Sequence, residues 1–185
     1  MITYIALLRS INVGGRTVTM ERLRGLFTEL GLEGVRSYIQ TGNVFFTAEE
    51  HPAGSPERAA LTRRIEAHLA ESLGYPVPVM LRTVEEIEAV LAAEPFKDVE
   101  VTPDLRLTLN FLSEPLPADF ALPHTSPKGD YEVLGADPGT AYVVIHLQNG
   151  KWKSTGNLFG PSFQGSATSR FLHTTAKIVA AARKA

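Results

Sequence analysis

A chain of 185 residues with 44% hydrophobic residues and no cysteine can build one large domain or two small ones around a packed core. The composition excludes disulfides and thiolate metal sites, and no apolar run approaches the ~20 residues that span a bilayer. The net charge of −2 hides an asymmetry: residues 1–137 hold 12 basic and all 20 acidic side chains, whereas residues 138–185 hold 6 basic ones and no acid. That imbalance suits an anionic partner, or else a basic end docked on the acidic remainder. The opening MITYIALLR has no basic segment ahead of its apolar run, so it reads as a strand rather than a signal peptide, and a cytoplasmic protein with no membrane partner is expected.

Residues 4–8 are apolar on both alternating faces, the pattern of a strand covered on both sides. Gly14 and Gly15 break it. Thr19 caps a helix over 20–30 in which Met20, Leu23, Leu26, Phe27 and Leu30 follow the 3.6 period, and Gly31 ends it. Residues 35–40 and 44–47 read as hairpin strands about Thr41-Gly42-Asn43. Ser55 caps a helix over 56–73, with Pro56 at its first position, the stripe Leu61, Ile65, Leu69 and Leu73, and Gly74 as its stop. Residues 77–81 form the next strand. The order strand, helix, strand, strand, helix, strand is the split-βαβ, ferredoxin-like arrangement, with the first strand inside the sheet and both helices on one face.

The expected fold class is α+β, with two ferredoxin-like subdomains at 1–82 and 83–185, the second less complete. Thr83 and Glu86 make a capping box ahead of Val84, Ile87, Val90 and Leu91. Leu105, Leu107, Leu109 and Phe111 alternate with polar residues as a half-buried strand. The proline-rich stretch 115–130 leaves room for a short helix. Residues 131–134 and 140–147 read as strands joined at Asp137-Pro138-Gly139, and a last helix covers about 168–184.

Three blocks carry a family resemblance. YIALLRSINVGG at 4–15, YIQTGNVFF at 38–46 and ATSRFLHTTAKI at 167–178 resemble the bacterial family catalogued as domain of unknown function 1697. The family usually has glycine where this chain has Ser10. Its third block is near ATTRNWNTVxKL, which Arg170, Thr174 and Lys177 match and Phe171, Leu172 and His173 do not. Segment 95–117 is also similar to its counterpart. The resemblance implies two ferredoxin-like α+β subdomains and brings no activity with it.

Two groups of residues suggest binding. In Asn12-Val13-Gly14-Gly15-Arg16, between a strand and a helix, glycines let backbone N–H groups turn toward an anion, with Arg9 and Arg16 adding charge. The plainer alternative is a tight connection. Arg170, Thr174 and Lys177, spaced four and three apart, share one face of the expected last helix. There Arg170 near the N-terminus opposes the helix dipole at up to ~1 kcal/mol, which a bound anion or a salt bridge would offset. Asn43 joins the candidates through the second block, although a hairpin turn explains it too.

Arg9, Asn12, Gly14, Gly15, Asn43, Arg170, Thr174 and Lys177 therefore define a candidate anion site in a cleft between subdomains. A phosphorylated metabolite or nucleotide is the expected ligand class. No GxGxxG or Walker pattern is present: Ile145 stands where the first P-loop glycine belongs, ahead of Gly150-Lys151. His51, His68, His124, His146 and His173 have no metal-ligand spacing, and no metal or cofactor is expected. No nucleophile and base pair stands out, so whether the protein is an enzyme stays open. One rival is a nucleic-acid binder using the basic last third, where Trp152 between Lys151 and Lys153 could stack a base. The missing aromatic strand signature and a pI near 6.2 argue against it. The other rival is an interaction module that dimerises through a bare sheet face.

Overall fold

The apolar run at the start of the chain folds as the strand its pattern predicts. In the computed structural model, which describes residues 1–152 and 157–184, β1 is Ile2–Leu8, followed by α1 (Met20–Glu29), β2 (Glu33–Ser37), β3 (Asn43–Ala48), α2 (Pro56–Leu73) and β4 (Val79–Thr83). These strands form an antiparallel sheet in the order β2-β3-β1-β4, so β1 is an interior strand. Tyr4, Ala6 and Leu8 share one face of β1 and build a core with Val44, Phe46 and Leu81. Leu23, Leu26 and Phe27 of α1 and Ile65 and Leu69 of α2 close that core, which places both helices on the same face. Each such side chain contributes about 1.5–3 kcal/mol by leaving water. Ile5 and Leu7, on the opposite face, are equally buried.

Local chemistry fixes the helix ends. Thr19 Oγ1 accepts the Arg22 N–H and Ser55 Oγ accepts the Arg58 N–H, each at 3.1 Å. Gly74 closes α2 in the left-handed region. Arg58 is the buried charge of this region, and it is paired. It donates to both Glu86 oxygens at 2.6 and 2.8 Å and to the His51 carbonyl, and it lies 5.4 Å from the Tyr4 ring centroid.

The remaining elements are α3 (Val84–Ala92), β5 (Leu105–Leu112), β6 (His124–Thr125), β7 (Tyr131–Asp137), β8 (Thr140–His146), β9 (Ala167–Phe171) and α4 (Leu172–Arg183). The capping box forms as predicted. Thr83 N–H donates to Glu86 Oε2 at 2.9 Å, and Glu86 N–H donates to Thr83 Oγ1 at 3.1 Å. The second sheet is also antiparallel, in the order β6-β7-β8-β5-β9. Leu112, Val133, Ala141, Val143 and Ile145 pack one of its faces against Phe159 and Phe163. The protein is thus α+β, and no helix separates β5 from β9 among the described residues.

Several boundaries differ from the sequence reading. Strand β2 ends at Ser37 because Ile39 turns left-handed with φ 50°. Strand β4 starts at Val79, since Pro78 has no N–H for the ladder and offers only its carbonyl, to the Arg9 N–H at 3.0 Å. Stretch 115–130 holds the short strand β6 instead of a helix. The largest correction is at the C-terminus: residues 167–171 are a strand, not the first turn of a helix, because they pair with β5 from Leu112↔Ala167 to Thr108↔Phe171.

The chain divides into two compact units, Met1–Ala89 with Lys177–Ala185, and Val90–Ala176. The end of α4 groups with the first. Arg36 donates to the Ala181 and Ala182 carbonyls at 3.0 Å each, capping the helix C-terminus, and Arg183 pairs with Glu85 and Glu88 of α3. At least one basic residue of the acid-free end is therefore docked on acids from earlier in the chain.

Candidate functional site

The β1–α1 connection is built from alternating backbone signs. Ser10 (φ 62°), Asn12 (φ 55°) and Gly14 (φ 60°) are left-handed, whereas the intervening Ile11 and Val13 are not. Positive φ at every second residue turns the chain sharply here, and loops that alternate between the right- and left-handed helical regions are the ones that bind anions as nests. Gly15 follows at φ 82°, and the Arg16 N–H closes the turn on the Val13 carbonyl at 3.1 Å. A turn spans Ile11 and Asn12, and the backbone N–H groups of Ser10, Ile11, Asn12, Gly14 and Gly15 have no acceptor among the described residues. An added Cβ on Gly14 or Gly15 would meet nothing within 4 Å. These glycines serve the backbone conformation, then, and the space beside them is open.

Two residues hold the loop in place. Asn12 Oδ1 accepts the Val18 N–H at 2.7 Å, and its Nδ2 donates to the Gln40 carbonyl at 3.0 Å. Gly42 lies so close that a Cβ there would be 3.0 Å from Leu8 Cβ and 3.2 Å from Ile11 Cβ. The segments 4–15 and 38–46 therefore meet at this place. Asn43 is fully buried beneath it and donates to the Tyr38 carbonyl at 3.1 Å and Thr41 Oγ1 at 2.9 Å. Its side chain organises the hairpin, as the plainer reading had it. Asn12 likewise has its amide engaged, which makes it a positioning residue for the loop.

The surroundings are basic. Arg9 is exposed and makes no side-chain hydrogen bond or ion pair among the described residues. The Arg16 guanidinium lies 4.3 Å from the Tyr75 ring centroid, a cation–π contact. Tyr75 was not foreseen from the sequence. Its hydroxyl is buried with no hydrogen-bond partner among the described residues, the kind of group that a water or ligand completes.

Arg170, Thr174 and Lys177 do not form the single helical face predicted for them. Arg170 belongs to β9, opposite Leu109 of β5, and α4 begins only at Leu172. The argument that Arg170 opposes a helix dipole therefore falls. Arg170 is buried, donates to Thr168 Oγ1 at 2.8 Å and the Ser169 carbonyl at 2.9 Å, and is pulled down to about 10 by burial. Thr174 and Lys177 stay three apart on α4, half-buried and exposed respectively. Arg170 and Thr174 lie in the second unit and Lys177 in the first. Arg9, Asn12, Gly14, Gly15 and Asn43 are the candidates that the fold gathers at one place.

No group of three or more His, Asp or Glu side chains among the described residues could hold a metal ion, and no helix among them is long and apolar enough to cross a membrane. A family model described as a protein of unknown function, DUF1697, matches residues 1–142. A solved structure described as the conserved bacterial protein SP0830 from Streptococcus pneumoniae is similar at a TM-score of 0.74 and 27% identity, over 100% of this chain and 99% of that one. No curated protein matches the chain.

Proposed function

We propose that this chain, which belongs to the DUF1697 family of proteins of unknown function, binds a small phosphate-bearing ligand on the loop at 9–16 of its first unit. One observation carries the reading: five backbone N–H groups between Ser10 and Gly15 have no acceptor among the described residues. Donors at this partly exposed loop are met by water until an acceptor-rich ligand replaces it. A tetrahedral anion offers several acceptor oxygens to donors spread along a curved backbone, and such charge-assisted bonds are about twice as strong as neutral ones. Arg9 adds a cation within a stretch free of acids up to Met20. A phosphorylated metabolite or a nucleotide has the required group. The reading assigns binding and names no reaction.

Amide chemical shifts during titration with inorganic phosphate and pyrophosphate test it. The expected result is a concerted shift of the amides of residues 10–15 that saturates and is weakened by Arg9→Ala. Amides that stay in place at tens of millimolar phosphate, far above the range of a specific site, would overturn the reading. A thermal-shift screen of nucleotides and sugar phosphates then narrows the ligand.

A further inference from the structure

A second feature stands apart from the glycine loop. In the second unit, Gln148 and Lys151 exchange two backbone hydrogen bonds of 3.0 Å across Asn149 (φ 52°) and Gly150 (φ 69°), a tight hairpin whose two left-handed residues suit Asn-Gly. The hairpin presents Trp152, which keeps 42% of its surface exposed. Its ring meets Phe171 edge-on, with centroids 5.9 Å apart. Phe171, half-buried at the end of β9, lies parallel to the exposed His173 ring at 5.7 Å and 11°.

We infer that Trp152, Phe171 and His173 form a stacking platform for a nucleobase, with Lys151 receiving the phosphate attached to it. Phe171 is half-buried, while the two rings in contact with it, Trp152 and His173, are both exposed. The platform offers flat π faces rather than a groove for branched aliphatic chains. The exposed Lys151 precedes Trp152 and supplies a cation for the phosphate of a nucleotide or a phosphodiester. Rings interleaved with cations are the usual means of holding unpaired bases, because every base has a π face. Neither Phe171 nor His173 pointed to this from the sequence, where Trp152 stood alone between Lys151 and Lys153. Lys153 lies outside the described residues.

The base could belong to a free nucleotide or to single-stranded nucleic acid, and one experiment separates these sources. Trp152 is the only tryptophan of the chain, so its fluorescence in the full-length protein reports on this site alone. The protein is titrated with AMP, with an eight-residue oligoadenylate, and with inorganic phosphate, which carries no base. The expected result is saturable quenching by a base-bearing ligand and none by phosphate. His173→Ala should weaken binding about tenfold, or ~1.4 kcal/mol, in the range of one lost stacking contact. Lys151→Ala should flatten the salt dependence of the oligonucleotide. Quenching by AMP alone assigns the site to a nucleotide, and quenching by the oligomer alone assigns it to single strands. Circular dichroism checks that each variant is folded. No saturable change with either ligand, or equal affinity in wild type and His173→Ala, overturns the platform. Both outcomes leave the phosphate reading of the first unit untouched, since its readout is the amides of residues 10–15.

Discussion

Two turns of the second unit use up donors of their own. Asp137 Oδ1 accepts the Gly139 N–H at 2.7 Å, while Oδ2 accepts the Tyr142 hydroxyl at 2.8 Å. Burial, with Asp137 second, raises the Tyr142 pKa, so that the hydroxyl keeps its proton and remains a donor. Ser126 Oγ accepts from the Asp130 and Tyr131 amides. The loop at 9–16 of the first unit is different. Of its two side chains able to do the same, Ser10 accepts no backbone N–H among the described residues, and Asn12 bonds instead to Val18 and Gln40. That fixes the loop and leaves the amides between open. A turn that satisfies itself is complete as structure, whereas a rigid loop with a row of open donors is completed by water or by a ligand.

Substitutions can break this contrast, and the largest effect is expected at Gly42. A Cβ there combines a left-handed residue with contacts of 3.0 and 3.2 Å, so Gly42→Ala should cost about 2–4 kcal/mol in urea unfolding. A loss below about 1 kcal/mol would show that the hairpin does not clamp the loop. Next comes Asp137→Ala, which strips two donors in the second unit of their acceptor. It should cost about 1–3 kcal/mol yet leave the phosphate response of the first unit unchanged. If the amides of residues 10–15 lost that response, the two units would be coupled and the contrast too simple.

Asn12→Ala sharpens the comparison from the other side. It should cost about 1–2 kcal/mol, as two hydrogen bonds disappear, and abolish the concerted phosphate shift. An intact shift would mean that the alternating backbone needs no side-chain brace. The smallest stability change belongs to Arg9→Ala, an exposed residue, at within about 0.5 kcal/mol by thermal melting. Its effect should show only as weaker phosphate binding, and a clear drop in Tm would make Arg9 structural.

Much of the fold was legible because its signals are local. The caps at Thr19 and Ser55, the Thr83–Glu86 box and the Asp137-Pro138-Gly139 turn each depend on residues within a few positions, and each forms as read. The interior place of β1 followed from an apolar run on both faces. The segment Ala167–Phe171 was misread because Arg170, Thr174 and Lys177 happen to keep a helical spacing. Pairing with β5 outweighs that spacing, and no short window of sequence contains β5. Of the candidate site, the glycines and the hairpin place of Asn43 were visible, but the role of Asn12 was not, since its partner Gln40 lies elsewhere in the chain.

By itself, then, the sequence determined the helices of the first half, two hairpins, the first sheet's element order and a glycine loop in an acid-free opening. Each of these rests on periodicity, caps or composition, which short stretches of chain carry. Only the tertiary structure decided that Asn12 reaches Gln40, that Gly42 lies against Ile11, that Arg170 is a buried strand residue, and that Phe171 and His173 join Trp152. Those facts depend on contacts between residues distant in the chain, and it is such contacts that turn a loop of glycines into a row of fixed donors.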